Sequence, residues 1–496
     1  MFMGARPTAN TGKELASSTH EYELLTPANN FVESYPSIYT NAIGLGFAAL
    51  KDKVDLMSVA AIGFSAQSET MVFVDGDGKP LRNAIGWMDN RAISQAARMA
   101  EKFGDELCYR KTGQVGFAPN WPAPKVLWVK ENEPEVFAKT KKILCLEDYI
   151  IHYLCGNFVA DGAMLTSTLY WDITTKRYWK EMLDYLGTPE SMYPQIKESG
   201  EVAGTILPDI AKKLGLNPDA KICTGAMDNA IGAVGVGAVR PGVFSESIGS
   251  SLAVCVPTDK ITYDPNRIMP VHYYPIKNTY MMHTFTTGGM CMRWFRDNFC
   301  DIEKSYADLS GGDNYDLMIH EADHIAPGAG GLVFLPHLNG ALAPDINPNA
   351  MGVFFGITMV HRKPHFIRAI MESLGYLVRR NIDALANMGI AVDEVRAFGG
   401  GSKSPSWCQL KADILQRPIC VTNSRDTAAC LGAAVLAGFA VGIFKDIQSA
   451  CDSMIQVVSR FDPNPASAAI YDRGYAKYIK LQADLGEMFE FAAQDN

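Results

Sequence analysis

At 496 residues the chain is too long for one ordinary core, and two domains of roughly 200–250 residues are the natural division. With 48% hydrophobic and 20% charged residues the composition is globular; the net charge of −9 excludes a broad nucleic-acid footprint while leaving room for a local cationic nucleotide site. The 11 cysteines are scattered without a C-x-x-C pair, the start lacks an apolar signal core, and no run approaches a membrane span, so a cytoplasmic protein with no membrane partner is expected.

Strand and helix patterns alternate along the chain, which reads as α/β. Met71–Val74 and residues 81–85 are short apolar runs around Asp75-Gly76-Asp77-Gly78, a hairpin pattern. Over 134–154, Val136, Phe137, Ile143, Leu144, Ile150 and Ile151 read as helical. Residues 221–224 read as a buried strand running into Gly225. Segments 242–247 and 252–256 flank Gly249-Ser250-Ser251 as a second hairpin, and the domain boundary is expected near 239–242, dividing the chain into 1–240 and 241–496. Pro364 opens a long helix with Phe366, Ile367, Ile370, Met371, Leu374, Leu377, Val378 and Ile382 on its core face. Residues 395–398 form a short strand running into Gly399-Gly400-Gly401-Ser402. Residues 428–442 read as a helix of small residues that lets another backbone come close, and from Asp462 a loop and a final polar helix are expected.

Four segments carry candidate chemistry. Asp228, just past a strand on a glycine turn, can hold a hydroxyl and take its proton as the oxygen attacks phosphorus. The same residue type also serves simply as a helix N-cap. The Gly249-Ser250-Ser251 turn can cradle phosphate oxygens with amides and hydroxyls, or be a plain turn. The triple glycine at 399–401 lets a nucleotide lie against the backbone at a helix start, although no Walker pattern is present. Gln67-Ser68-Glu69-Thr70 with Trp87, Asp89 and Arg91 suits binding of several hydroxyls; the alternative is a surface turn with a structural ion pair. His320-Glu321-Ala322-Asp323-His324 fits a zinc-protease pattern, but Pro327-Gly328 ends the helix at once, so a solvated helix end and no metal site are expected.

In order and spacing these pieces resemble the FGGY carbohydrate kinases, the xylulokinase-like members most, from about Gly12 to Leu485. The carrying motifs are Trp87-x-Asp89-x-Arg91, Gly225-x-x-Asp228-Asn229, Gly249-Ser250-Ser251, Gly331-Leu332-Val333-Phe334-Leu335-Pro336, the run 398–413 and Leu431-Gly432-Ala433-Ala434. The resemblance implies two ribonuclease-H-like domains of the actin-like ATPase type with a central cleft, sugar mainly on the first and ATP mainly on the second. It implies Asp228 as the catalytic base, Ser68, Glu69, Asn120 and Asn229 at the sugar or polyol, Ser250, Gly289 and Arg293 at the ATP phosphates, and Gly400 and Gly401 beside the adenosine. Mg²⁺ would neutralise the phosphates, domain closure would exclude water, and a homodimer is common in such families.

Three departures stand out. The family's opening D-x-G-T strand is absent before Asn10-Thr11-Gly12-Lys13-Glu14-Leu15, so lost phosphate positioning and an unpaired edge in the first sheet are expected. Gly340-Ala341-Leu342-Ala343-Pro344 replaces the usual G-E-R-x-P. Gln67-Ser68-Glu69 departs from the Q-M-H of xylulokinases toward the Q-R-E of glycerol kinases. The reaction expected is phosphorylation of a primary hydroxyl of a ketose such as xylulose, or of a glycerol- or erythritol-type polyol. A relative that only binds sugar or nucleotide, and an actin-like filament or chaperone ATPase, are the other readings.

Overall fold

The computed structural model describes residues 2–5 and 12–495. In the first half, β1 (Phe2–Ala5) and β2 (Ala16–Thr19) form an antiparallel ribbon. Then follow β3 (Glu33–Ser34), α1 (Pro36–Leu50), β4 (Ala61–Ile62), β5 (Met71–Val74), β6 (Ala84–Ile85), α2 (Pro122–Asn132), β7 (Lys142–Cys145), α3 (Leu146–Cys155), β8 (Val202–Thr205), β9 (Lys221–Cys223) and α4 (Asp228–Gly235). Pro36 and Pro122 sit in the first turns of their helices, where a missing N–H breaks no helical bond. The strands join as β3–β6–β5–β7 and as β8–β9–β4, with β9 parallel to β4.

The expected hairpin at 71–85 is present: β5 and β6 run antiparallel, and the Asp75 carboxylate accepts the Asp77 and Lys79 amides inside the turn. Residues 134–154 are not one helix. A short helix, Pro134–Lys139, gives way to β7, so Ile143 and Leu144 lie on a strand paired with β5. The apolar run there is too short for its period to separate strand from helix, and the open side of β5 decides it.

The second half contains β10 (Gly242–Ile248), β11 (Ser251–Thr258), β12 (Val271–Tyr273), β13 (Tyr280–Thr287), α5 (Met290–Phe299), α6 (Lys363–Asn387), β14 (Val392–Phe398), α7 (Pro405–Leu415), β15 (Ile419–Thr422), α8 (Ala428–Ala440), β16 (Val457–Phe461) and α9 (Pro465–Asp484). Its sheet has the order β12–β13–β11–β10–β14–β15–β16. An antiparallel β10–β11–β13 meander, with β14 parallel to β10 and β15 parallel to β14, is the ribonuclease-H-like arrangement expected. The first half repeats only part of it. Among the described residues β4 pairs on one side, with β9, and β1 pairs with β2. Asn10 and Thr11 lie outside the described residues. Past Asp462 the helix α9 is less polar in its role than its sequence suggests, since Tyr471, Tyr478 and Leu481 are buried, and a further short helix, Gly486–Ala492, follows it.

The halves meet through α4 and α8. These helices cross at backbone contact: a Cβ on Gly235 would overlap the Ala428 carbonyl oxygen, and one on Gly432 the Ile231 carbonyl oxygen. The small residues read from 428–442 serve this approach. A second bridge comes from the chain between β11 and β13. Tyr263 donates to the Arg110 carbonyl at 2.7 Å, the Asp264 amide to the Tyr109 hydroxyl at 2.7 Å, and Tyr273 to Glu198 at 2.7 Å. No described helix is long and apolar enough to cross a membrane.

Asp89 and Arg91 take the structural role. The Arg91 guanidinium meets Asp89 Oδ2 at 2.8 Å and Glu33 Oε1 at 2.7 Å, lies 4.0 Å over the Phe31 ring, and is buried with Asp89. Arg82 joins the same Glu33 and reaches Glu133 at 2.8 Å. Arg91→Met is expected to lower unfolding stability by about 3–5 kcal/mol, because two carboxylates lose a buried partner; a urea denaturation midpoint checks this. Gly235→Ala is expected to lower stability by at least ~2 kcal/mol, since the obstacle is backbone; calorimetry against wild type reads it.

Candidate active site

The parallel pair β4–β9 sends two loops out side by side from its C-terminal ends. Ala66 bridges Met227, and the Asp228 amide donates to the Ala66 carbonyl at 2.9 Å. Gly225 is required where the loops touch, because a Cβ there would overlap the Phe64 carbonyl oxygen. Asp228 therefore begins α4 directly beside the Gln67–Glu69 turn. Its carboxylate is exposed, yet burial by surrounding protein is the leading cause that raises its pKa, opposed by the Asn229 amide donating to Oδ1 at 2.7 Å. A group that touches solvent while enclosed by protein mass lies on the wall of a concavity.

Glu69 has φ +49°, a left-handed backbone uncommon outside glycine and concentrated at functional sites. The Ser68 hydroxyl donates to its Oε1 at 2.7 Å. Burial pushes the Glu69 carboxyl up, and the nearby Asp228 charge pushes it the same way, while the Ser68 and Ser167 hydroxyls and the Lys125 ammonium pull it down. Asn229, half-buried, accepts the Cys255 thiol from β11 at its carbonyl, 3.9 Å away. Asn120 lies in the turn just before α2, the helix whose Lys125 reaches the Glu69 carbonyl at 3.0 Å.

Across from these, the β10–β11 turn carries Gly249 and Ser250. The Gly288 and Met290 amides donate to the Ser250 carbonyl at 3.2 and 2.9 Å, and the Gly289 amide to the Gly249 carbonyl at 2.9 Å. Gly289 caps α5, which bears Arg293. The amides of 288–290 are committed within the contact, while Gly249, Ser250, Ser251 and Arg293 are exposed, with Arg293 3.7 Å from Asp297.

The triple glycine lies against the same turn. A Cβ on Gly401 would come 2.7 Å from Ile248 Cβ, and Gly399, at φ +75°, backs onto the Ile248 carbonyl. Gly400 is exposed and opens a single 3-10 turn whose first amides lack partners within it.

Helix α4 ties the sides together. Asp228 begins it, and Gly232, about 6 Å further along the axis, would bring a Cβ to 3.1 Å from the Phe398 ring. Phe398 is the last residue of β14 before the triple glycine. The Asp228 carboxylate thus begins the helix that touches the Phe398 ring one turn later, with the Glu69 carboxyl beside it. Among the described residues no group of three or more His, Cys, Asp or Glu side chains could hold a metal ion. His320 and His324 stand exposed at the end of the helix Asn314–Asp323, away from all of this.

Sequence reading missed three polar residues here. Lys125 is fully buried beneath Glu69, and its signal was a charge on a helix face otherwise made of Ala123, Val126 and Val129. Ser167 is buried, donates to the Met164 carbonyl at 3.4 Å, and pulls the Glu69 carboxyl toward ionisation. Glu147, buried on α3, accepts the Gly225 amide at 2.6 Å and so supports the loop carrying Asp228; nothing in its local pattern marks it.

Comparison with known proteins agrees with this geometry. Residues 8–235 match the N-terminal domain of the FGGY family of carbohydrate kinases, and residues 247–441 its C-terminal domain. The xylulose kinase of Bacillus subtilis (strain 168) is 30% identical over 483 residues, covering 95% of this chain and 92% of that protein. A gluconokinase of Bacillus licheniformis is 29% identical over 465 residues, covering 94% and 90%. The crystal structure of a ligand-bound xylulose kinase from Lactobacillus acidophilus superposes with a TM-score of 0.88 at 28% identity, covering 97% and 95%. This chain belongs to the FGGY family of carbohydrate kinases.

Proposed function

We propose that the chain transfers the γ-phosphoryl group of ATP to a primary hydroxyl of a small neutral sugar, a ketose such as xylulose. The observation that carries this reading is the Asp228 carboxylate at the head of α4, beside Glu69 and one turn from the residue preceding the triple glycine. In this reading Asp228 accepts the hydroxyl proton as the oxygen attacks phosphorus, and Ser68, Glu69, Asn120 and Asn229 orient the acceptor. Ser250, Gly289 and Arg293 face the phosphates, and Gly400 and Gly401 support the adenosine. Mg²⁺ enters as part of the nucleotide substrate. The relatives named as xylulose kinases support a ketose.

A short polyol is the second reading, favoured by the acidic Glu69 in place of an imidazole. A carboxylate-bearing acceptor of the gluconate kind fits less well, because Glu69 and Asp228 already repel one another across the floor. A coupled ADP-release assay over ketoses, polyols and gluconate tests these choices. Turnover with a ketose is expected; a preference for gluconate overturns the neutral-acceptor reading, and no acceptor-dependent ADP release overturns the kinase reading for this chain.

Asp228→Asn is expected to lower kcat by about 10²–10⁴-fold, the usual worth of a positioned base, with the sugar dissociation constant little changed. Because Asp228 has a raised pKa, the active deprotonated form is lost sooner on acidification. The acidic limb of kcat/KM is therefore expected above the ordinary carboxylate value of about 4, with activity falling below it; a pH–rate profile of the free enzyme reads this.

A further inference from the structure

We infer that Lys125 is a positioning residue of the acceptor site, its ammonium holding the left-handed Glu69 turn against the Gly86 segment so that Ser68 and Glu69 present a fixed floor. This inference rests on the acceptor lying at Glu69, as proposed above.

Lys125 is completely buried on α2. Its Nζ donates to the Glu69 carbonyl at 3.0 Å and the Gly86 carbonyl at 2.8 Å. These carbonyls belong to two different segments, the loop leading from β4 into β5 and the chain leaving β6. A further bond joins the same segments, the Trp87 amide donating to Thr70 Oγ1 at 3.1 Å. A non-glycine residue at positive φ is strained and persists only where its surroundings over-determine it. The lysine supplies such a determinant at the residue that needs it.

Packing alone does not call for a lysine here. Ala123, Val126 and Val129 on the same helix are buried, and an unbranched apolar side chain would fill a similar volume. An ammonium without water is costly unless paired and hydrogen-bonded, and here burial lowers its pKa to about 7. The groups facing it are the Glu69 and Asp89 carboxylates and the Cys145 thiol, which favour its charge, and Arg91, which opposes it. The lysine also draws the Glu69 carboxyl back toward ionisation against burial and the Asp228 charge. It therefore acts on the floor twice, through the backbone of Glu69 and through its charge.

The test compares wild type with Lys125→Met, which keeps the bulk and removes the ammonium, and with Lys125→Gln, which keeps two donors and removes the charge. Calorimetric titration with D-xylulose, glycerol and ADP gives three dissociation constants, and amide hydrogen exchange of residues 68–71 and 86–89 reads the clamp without ligand. Lys125→Met is expected to weaken acceptor binding by at least ~10-fold while ADP binding stays within about twofold, a split that general loss of structure does not give. Exchange in the two segments is expected to speed by at least ~10-fold while the rest of the chain is unchanged. Lys125→Gln is expected to show the same selective loss to a smaller degree. Wild-type acceptor affinity in either folded variant, or equal losses for acceptor and ADP, overturns the inference. If wild type binds neither D-xylulose nor glycerol, the proposed function fails, and exchange then decides Lys125: unchanged rates in both variants overturn its role.

Discussion

The site depends on two helices meeting without side chains between them. At the α4–α8 crossing, Gly235 and Gly432 bring backbone against backbone, and this fixes the distance between the halves. Asp228 and Asn229 begin the same helix that touches Phe398 one turn later, so the geometry of the carboxylate follows from the crossing. A single added methyl group at either glycine would move the head of α4 relative to the glycine loop. The Ala-rich composition of α8 is thus a requirement of the site rather than a preference for helix.

Charge around Glu69 and Asp228 is arranged against its own cost. Burial raises the tendency of both Glu69 and Asp228 to hold a proton, and the Asp228 charge adds to the effect at Glu69. Serine hydroxyls, backbone amides and one buried lysine offset this. The β10–β11 turn and the start of α5 are the reverse, with Ser250 and Arg293 exposed. Two faces of unlike character suit a neutral polyhydroxyl compound on one and an anionic phosphate chain on the other.

Much of this was legible in the chain itself. The turn at Asp75–Gly78, the hairpin at Gly249–Ser250, the glycine run after Phe398 and the small-residue helix were written in local residue types whose physics is local. Ile143 and Leu144 were misread because a short apolar run has no period of its own, and only the open side of β5 settles it. Asp89 and Arg91 could serve substrate or structure equally from sequence; their partner, Glu33, is more than fifty residues away and is assigned by the fold. Lys125 shows in the sequence only as a charge on an apolar helix face, and its role is hidden for a similar reason, since its two acceptors are carbonyls that any sequence provides.

The tyrosine-lined bridge between β11 and β13 has a further meaning. The break near residue 240 separates two sheets, but Tyr109 and Trp171 from one side share a continuous apolar core with Val271 and Tyr273 from the other. Either half alone would leave aromatic surface in water that the whole chain buries. The halves are therefore expected to unfold together rather than with separate melting points, and relative motion between them to bend the molecule without opening that seam.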